Sequence, residues 1–284
     1  MGYPAGYYEG GGGMKEKIVA NFEGAIPLIL ILVLGIFVAG KFGLINLHGL
    51  PVVGGLFPAP AIKVLCIGHC SDGVTGYLTT DEARIEGIIY QGEMSQEVIY
   101  PGALKNYDLI IVQGERFCDL PARKEIASKV SSGGKMIFIG DACIRVTNDE
   151  SVYGWGLSLK DAVPATIGGT TAERETVKKQ IVDGQFTIVD PFHPLFGGGV
   201  PGIKNFPFNG ELVTVVPAVN SKILATILEQ GGGVTGRSHF AIIEGGGFMG
   251  KTMYFAYDPG IYGEEKGREL FLNTVVYLNS GGAR

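Results

Sequence analysis

The cysteines are the residues of this chain whose side chains offer the widest chemistry. There are four of them: Cys66, Cys70, Cys118 and Cys143. A cysteine thiolate can act as a nucleophile, bind a metal or form a disulfide. Cys66 lies within a predicted strand, where a role in the core is the simplest. No two cysteines have the C-x-x-C spacing of a zinc-binding pair, so we predict no metal site.

A thiol enzyme also needs a base and a carboxylate, and two late residues are candidates by their order in the chain. His239 and Glu244 lie five residues apart on one predicted strand, so we expect them to point to opposite faces of it. His193 lies in the sequence Asp190-Pro-Phe-His-Pro, which favours a turn former over a catalytic base. If the chain carries out thiol chemistry, Cys143, His239 and Glu244 are its candidate residues.

Alternating strands and helices must position these side chains. The predicted elements of the first half are strands over Ile62–Ile67, Glu97–Tyr100, Leu109–Val112 and Lys135–Ile139, a helix that begins near Thr80, and a helix over Pro121–Ser132. This alternation predicts an α/β fold with a parallel sheet covered by helices. In such sheets, binding sites form at the carboxyl ends of the strands.

The predicted topology brings several chemically capable residues to that edge of the sheet. They are Cys70, Cys118, Cys143, Glu115 and Asp141, with His69 nearby. Two of the three cysteines could form a disulfide if the domain lies outside the cytoplasm, and a chance meeting of unrelated loop cysteines is the alternative. The two carboxylates could act as an acid–base pair, but carboxylates at strand ends also cap helices and turns.

The second half of the chain has a different pattern. Short apolar runs joined by glycine-rich turns occur at Phe186–Val189, Leu212–Val216, Ile223–Leu228, Phe240–Ile243 and Thr252–Tyr257. These runs predict a largely antiparallel extension of the sheet. An amphipathic helix is predicted over Glu264–Leu278, and we expect its apolar residues to pack on the sheet, namely Leu270, Phe271, Val275 and Leu278.

The order of several motifs carries a resemblance to a known family. The motifs are YDLIIVQGE, GGKMIFIGDAC, HPLF, GKTMYFAYDPG and FLNTVVYL. Over residues 62–280 the chain resembles the class I glutamine amidotransferase-like superfamily. Within it, the chain is more similar to the non-catalytic branch, which includes ThuA-like proteins, the trimerisation domain of some β-galactosidases and a domain of the 48-kDa-type oligosaccharyltransferase subunit. The resemblance implies a flavodoxin-like parallel sheet and is a poor guide to function.

An active member of this superfamily places a nucleophilic cysteine on a tight strand-to-helix turn, G-x-C-x-G. The corresponding stretch here begins at Gly140. Counted from that glycine, the nucleophile position holds Ala142; counted from Cys143, the second glycine is replaced by Arg145. The turn is degenerate either way, so we expect no catalytic residues. No glycine run is followed by the Lys-Ser/Thr of a phosphate-binding loop, so we also expect no cofactor.

The residues before this domain are the most apolar of the chain. Gly24–Gly40 contains 17 residues without a charge. We predict a transmembrane helix over 24–45, which at full length would reach about 30 Å. The alternatives are a buried core helix, a cleaved signal peptide and a pilin-type filament helix. Lys15 and Lys17 precede this helix and only Lys41 lies close on the other side, which favours a cytoplasmic N-terminus and an extracytoplasmic domain.

These patterns divide the chain into four regions. They are a Gly/Tyr-rich tail (1–23), the transmembrane helix (24–45), an apolar Gly/Pro linker (46–61) and the amidotransferase-like domain (62–280). The net charge of −5 comes without a basic stripe, so we exclude nucleic acid as a partner. We predict a membrane-anchored, non-enzymatic scaffold or assembly subunit whose partners are the lipid bilayer and other membrane proteins or a second copy. The alternatives are a thiol-dependent hydrolase or amidotransferase-like enzyme at the membrane surface, and a pilin-like filament subunit.

Overall fold

A computed structural model describes most of residues 61–280 and only a few positions before them. The described residues are 61–147, 149–167, 179–197, 202–230, 236–246, 250–261 and 265–280, with four single positions before them, Pro27, Ile31, Leu34 and Gly35. The chain divides into two units, Met1–Pro58 and Ala59–Arg284.

In the first unit, the four described positions are helical, and Ile31 and Leu34 are exposed. The rest of the expected tail (1–23), transmembrane helix (24–45) and linker (46–61) lies outside the described residues, except for Ala61 at its end. Among the positions that the structure describes, no helix is both long enough and apolar enough to cross a bilayer. The anchor therefore stays a prediction.

The second unit is built around one large sheet. Its strands are β1 (Ile62–Gly68), β2 (Ile88–Met94), β3 (Leu109–Gln113), β4 (Phe117–Cys118), β5 (Lys135–Ile139), β6 (Arg145–Val146), β7 (Asp149–Tyr153), β8 (Ala165–Thr166), β9 (Lys179–Ile188), β10 (Phe206–Val213), β11 (Val216–Pro217), β12 (Lys222–Glu229), β13 (Ser238–Gly246) and β14 (Lys251–Phe255). Nine of them form the main sheet, in the order β10-β9-β12-β13-β14-β5-β3-β1-β2.

One side of this sheet is parallel. The strands β2, β1, β3, β5 and β14 are parallel neighbours. All five residues of β3 and four of the five in β5 are buried, which is why both strands read as continuous apolar runs in the sequence. Chain order reverses between β1 and β3, the position at which α/β sheets bind ligands. The predicted mixed α/β fold with a parallel sheet is confirmed.

The other side of the sheet is antiparallel and consists of β13, β12, β9 and β10. The strand predicted at Leu212–Val216 is misplaced, because β10 runs from Phe206 to Val213. Pro207 and Asn209-Gly210 are residue types typical of turns, so the sequence pattern did not predict the start of this strand. An edge strand accepts such residues, since its outward N–H groups have no ladder partner to lose.

In the described part of the domain, the α-helices that flank the sheet are α1 (Asp72–Leu78), α2 (Asp81–Ile85), α3 (Leu120–Ser131) and α4 (Glu265–Asn279). Thr80 caps α2 by accepting from the N–H of Ala83, and Asp119 caps α3 by accepting from the N–H of Ala122. The helices α1 and α4 contact each other and so share one face of the sheet. Right-handed crossovers put α3 on the opposite face. The four expected apolar residues of α4 are all buried, namely Leu270, Phe271, Val275 and Leu278.

The strand predicted over Glu97–Tyr100 is wrong. The second strand is β2, and the predicted segment instead contains a 3-10 helix, Gln96–Val98, whose first N–H groups are capped by Ser95. β2 is an edge strand with exposed alternate residues, and Gly92 within it has a φ of +96°. These features break the apolar run that would have revealed a buried strand.

Two small sheets complete the described part of the domain. The strands β4, β6 and β7 form one of them, and β8 pairs with β11 in the other. β4 directly follows β3, and β6 and β7 follow β5, so this three-stranded sheet lies where the central parallel strands end. It occupies the place at which the superfamily resemblance implies a helix after β5.

Candidate functional site

The loops that leave the parallel strands at their carboxyl ends form one edge, here called the carboxyl rim. It comprises residues 69–72, 95–98, 114–118 and 140–146, which follow β1, β2, β3 and β5. Two of these loops touch closely: Gly114 has a φ of +73°, and a Cβ at this position would overlap the carbonyl of His69. The rim therefore joins the β1 and β3 loops at the switch point of the sheet.

Cys143, the expected nucleophile of a thiol enzyme, is bonded to Cys118 in a disulfide. Both residues are fully buried. The parallel pairing of β4 with β6 brings their segments together, with Phe117 opposite Arg145 and Cys118 opposite Val146. The structure therefore brings two of the three predicted rim cysteines into direct contact, as one of the sequence hypotheses expected.

The backbone around Cys143 also differs from a nucleophile turn. Cys143 has a φ of +52°, and its N–H donates to the carbonyl of Glu115 at 2.6 Å. In an amidotransferase, N–H groups at such a turn would face the substrate, with the thiol exposed beside them. Here the chain continues into β6 and the N–H of Cys143 is used to join two loops.

Cys70 pairs with a cysteine outside the predicted rim cluster. It forms a disulfide with Cys66, so no cysteine of the chain is free. Cys66 is buried within β1, as predicted, but it is not simply a core residue. Cys70 stays on the carboxyl rim, where its N–H donates to Glu93 Oε1 at 3.1 Å.

Asp141 lies at the rim between two cations. Its carboxylate oxygens are 3.4 Å from Arg116 Nε and 3.3 Å from Lys179 Nζ. Lys179 also lies 3.2 Å from Glu211 Oε1. Burial alone lowers the pKa of Lys179, but the bonds and charges of Asp141 and Glu211 outweigh burial and raise it. Asp141 is thus committed to an ion-pair network.

Glu115, the other predicted rim carboxylate, has a different environment. Burial raises its pKa, a hydrogen bond from the backbone of Phe117 lowers it, and the charge of Glu97 raises it again, with a net increase. The charge that acts on its pKa is another acid, Glu97, whereas Asp141 faces Arg116 and Lys179. The two rim carboxylates therefore have different electrostatic environments.

Sequence reasoning missed a pair at the same edge. His69 Nδ1 lies 3.0 Å from Glu93 Oε2, and this bond raises the pKa of His69. Glu93 was not a candidate because the second strand was predicted too late in the chain. The residue that could have signalled it is Ser95, a typical capping residue that ends β2.

The structure does not bring His239 and Glu244 together, and the sulfur of Cys143 is bonded to Cys118. His239 lies at one end of β13, 3.4 Å from Glu229 Oε2 and within hydrogen-bond distance of Gln180. Glu244 lies near the other end of β13 and accepts a hydrogen bond from Tyr277 at 2.5 Å. Each of the three residues has its own partners, and no triad results.

Glu244 instead meets His193, in a cluster at the opposite end of the sheet from the rim. His193 caps the 3-10 helix Pro194–Phe196 by accepting from the N–H of Leu195 at 3.3 Å. Its Nε2 lies 3.3 Å from Glu244 Oε2 but is not aligned for a hydrogen bond. The predicted role of His193 as a turn former agrees with this geometry.

The comparisons with known proteins match the fold. No protein-family model and no curated protein matches the chain. A ThuA-like protein of known structure from Bacteroides uniformis is 14% identical, with a TM-score of 0.53 over 76% of this chain and 91% of its own. A second, from Parabacteroides merdae, is 13% identical, with a TM-score of 0.51 over 78% of this chain and 91% of its own.

A third similar structure is a β-galactosidase from Bacillus circulans sp. alkalophilus. It is 12% identical, with a TM-score of 0.50 over 79% of this chain but only 32% of its own. At such low identity these likenesses show the fold alone. They agree with the mixed α/β architecture described above.

Proposed function

We propose that this protein is a non-enzymatic assembly subunit, held at a membrane by residues 24–45 and presenting the α/β domain to a partner. The observation that carries the proposal is the disulfide between Cys118 and Cys143. A thiol nucleophile must be exposed and ionised, whereas Cys143 is buried and bonded. The fold is that of a family with thiol enzymes, and its nucleophile position serves as a cross-link here.

The separation of the other candidates supports the same proposal. His239 bonds to Gln180 and lies beside Glu229, while Glu244 bonds to Tyr277. Reduction of the disulfide would give a buried thiol, while His239 and Glu244 are bonded to other residues, and an unassisted thiol is a slow catalyst. The positions of His239 and Glu244 therefore do not support the enzyme alternative.

A patch of exposed apolar side chains beside the rim suits a protein partner. Val98 is 59% exposed, Tyr100 68% and Phe117 44%. Gln96 Oε1 accepts from the N–H of Asp119 at 2.9 Å, so the segment with Val98 and Tyr100 lies beside the one with Phe117. Adjacent exposed apolar groups favour burial against another protein. We propose that this patch contacts the partner, which is another membrane protein or a second copy.

The disulfides favour one side of the membrane. All four cysteines are paired, and such pairs persist in oxidising compartments. The proposed orientation thus puts the domain outside the cytoplasm, the same side that the lysines before the predicted helix favour.

Extraction of the full chain in a mild detergent tests the proposal. Size-exclusion chromatography with light scattering and mass spectrometry should find it with a partner protein or a second copy at fixed stoichiometry. The double variant Val98→Asp, Phe117→Asp should lose that partner. The control Ile85→Asp, at a position 78% exposed but away from the patch, should keep it.

Two results would contradict the proposal. One is a chain that is monomeric in every mild detergent. The other is a hydrolytic activity that appears on reduction and is abolished by Cys143→Ala, because it would restore the thiol-enzyme alternative.

A further inference from the structure

Lysines mark the end of the sheet at which the parallel strands begin, here called the amino edge. Lys135 and Lys251 are the first residues of β5 and β14, and they are direct neighbours in register. Lys63 is the second residue of β1 and is exposed. Three of the five parallel strands therefore start with an ammonium group.

Two further lysines belong to the same edge. Lys105 is exposed in the loop before β3. Lys129, at the end of α3, donates to the carbonyl of Tyr107 at 2.7 Å. Burial lowers the pKa of Lys129, and the charge of Lys135 contributes in the same direction, so these two ammonium groups lie close to each other.

Some carboxylates lie among these lysines but do not balance them. Asp108 accepts from the N–H of Lys63 at 2.9 Å, and Asp108 and Glu125 both act on the pKa of Lys129. Glu86 lies just before β2. Glu244 is part of the cluster with Tyr277 and is mostly buried, with 14% of its side chain exposed. Lys222 lies opposite Glu244 at the same edge and pairs with Asp190 at 2.7 Å. With that pair included, six lysines face five acids, although the chain as a whole has a net charge of −5.

The carboxyl rim has the opposite character. Glu93, Glu97 and Glu115 follow or end β2 and β3 there, and Asp72 begins α1. The cations of the rim include Arg116 and Lys179, which form ion pairs with Asp141, and Arg145, which lies over the Tyr153 ring. Charge is thus separated along the strand direction, positive where the strands start and negative where they end.

The chain enters the domain at the positive end. β1 begins at Ile62, and the apolar residues 24–61 come directly before it in the sequence. We propose that the amino edge is a docking surface for anionic lipid headgroups, formed by Lys63, Lys105, Lys129, Lys135 and Lys251. This inference rests on the proposed membrane anchor, which delivers the edge to a lipid surface.

The physical basis is the decay of a lipid surface potential within a Debye length, about 10 Å at ordinary ionic strength. Ammonium groups at the edge nearest the connection to the anchor enter this layer, whereas the acidic rim stays outside it. Anionic lipid attracts the amino edge and repels the carboxyl rim, and these two forces together orient the domain. The apolar patch at Val98 and Phe117 then points away from the bilayer, where a partner can reach it.

Lysine footprinting of the full chain in vesicles tests the inference. The chain is reconstituted in phosphatidylcholine alone and in phosphatidylcholine with phosphatidylglycerol, recovered by flotation and acetylated with a membrane-impermeant reagent. Mass spectrometry then gives the acetylation rate of each lysine. Lys124 and Lys266 serve as internal controls, since both are exposed in the first turns of α3 and α4, which begin where strands end.

We expect acetylation of Lys63, Lys105 and Lys135 to fall by about threefold or more in the anionic vesicles, and this protection to disappear at high salt. Lys124 and Lys266 should react equally in both vesicle types. The variant Lys105→Gln, Lys135→Gln should lose the protection of Lys63, and the matched variant Lys124→Gln, Lys266→Gln should retain it.

The outcomes separate this inference from the proposed function. Co-flotation with equal acetylation at all positions overturns the lipid-facing orientation and leaves the anchor intact. Failure to float with either vesicle overturns the anchor and, with it, the inference. Protection of the control lysines in place of the amino-edge lysines overturns the assigned edge.

Discussion

Tyr277 donates its phenolic hydroxyl to Glu244 Oε1 at 2.5 Å, which joins α4 to β13 at the end of the sheet opposite the carboxyl rim. Lys251 Nζ lies 4.6 Å from the centre of the Tyr277 ring, and His193 Nε2 lies 3.3 Å from the same carboxylate. Burial raises the pKa of Tyr277, and the bond to Glu244 raises it further. A neutral phenol and an ionised carboxylate are therefore the stable pair.

Replacement of this tyrosine by phenylalanine should destabilise the domain. Tyr277→Phe removes one hydrogen bond to a charged acceptor, for which we expect a loss of about 2 kcal/mol in the free energy of unfolding. Circular dichroism of the full chain in detergent, followed during thermal unfolding, measures the effect. Tyr100→Phe, at a position 68% exposed, is the matched control and should leave the Tm unchanged. Equal Tm values for both variants would show that the contact contributes nothing.

The same carboxylate should make stability depend on acid pH. Burial raises the pKa of Glu244, but the closeness of His193, the hydrogen bond from Tyr277 and the charge of Lys251 outweigh it, so the folded-state pKa lies below its ordinary value. A lowered carboxyl pKa contributes stability above the unfolded pKa of about 4.3, and this stability is lost as the pH falls through the folded value.

Thermal unfolding between neutral pH and pH about 3 measures this contribution. The wild-type Tm should fall more steeply than that of Glu244→Gln, which does not titrate but has the same shape. Glu97→Gln, which removes an exposed acid from the rim, is the control and should keep the wild-type slope. A slope in Glu244→Gln as steep as in the wild type would contradict the assignment.

The two disulfides should contribute different amounts to the free energy of unfolding. Cys118 and Cys143 close a loop with a sequence separation of 25, whereas Cys66 and Cys70 are separated by only 4. In the chain-entropy model the longer loop stabilises by roughly 3 kcal/mol and the shorter one by roughly 2 kcal/mol. The variant with both Cys118 and Cys143 changed to Ala should therefore have a lower Tm than the one with Cys66 and Cys70 changed.

The two pairs are well matched, because all four cysteines are fully buried and each substitution removes the same sulfur atom. A free-thiol assay on the denatured, unreduced wild type provides the control and should find no reactive thiol. The reverse order of Tm values would mean that strand geometry at β1, and not loop entropy, determines which disulfide stabilises the domain more.

The sequence predicted the parts of the fold whose signal is local. β5 was predicted with its observed bounds, Lys135–Ile139, because a fully buried strand must be apolar at nearly every position. The helix start near Thr80 was predicted for a similar reason, since a capping side chain acts on the three residues after it. The edge strands β2 and β10 were missed or misplaced, because solvent on one edge permits glycine, proline and polar residues there.

The candidate site depended on longer-range information. Topology put Cys70, Cys118 and Cys143 on one rim but did not say which of them pair. The partner of Cys70 was not foreseen, since the alternation rule put Cys66 inside a strand and gave no reason for it to turn toward the loop. The His69–Glu93 pair requires the correct position of β2, and the Asp141–Lys179 ion pair joins residues from opposite halves of the chain. Pairings of this kind are fixed by tertiary packing and leave no local signal.

Because the β1 and β3 loops are in close contact, Gly→Ala substitutions at three positions should change the free energy of unfolding by different amounts. At Gly114, with a φ of +73°, a Cβ would overlap the carbonyl of His69, so Gly114→Ala should cost roughly 3 kcal/mol from strain and overlap together. Gly92 has a φ of +96° with no atom within 4 Å of a Cβ, so Gly92→Ala should cost only roughly 1 kcal/mol. Gly76, inside α1, also has open space, and Gly76→Ala should stabilise slightly. Denaturant unfolding gives the three values, and a cost for Gly114→Ala no larger than that for Gly92→Ala would refute the close contact.

Arg123 is a buried charged residue whose replacement by an apolar residue should stabilise the domain. Its side chain is fully buried in α3, where Nη2 donates to the carbonyl of Gly154 at 2.7 Å, while Nε and Nη1 have no hydrogen-bond partner among the described residues. Burial lowers the pKa of Arg123 to about 10. The lowered pKa means that burial destabilises the charged form, so stability should be constant well below pH about 10 and rise as the pH increases through and above that value.

Arg123→Met keeps the length of the side chain and removes the uncompensated charge. We expect it to raise the free energy of unfolding by about 1–3 kcal/mol, as replacements of buried charges by apolar residues do, less the lost bond to Gly154. Arg123→Lys retains the charge with fewer donors and should be less stable than the wild type. Thermal unfolding at neutral pH orders the three proteins. If Arg123→Met is the least stable of them, the guanidinium has a counter-charge in the folded protein and its burial carries no net cost.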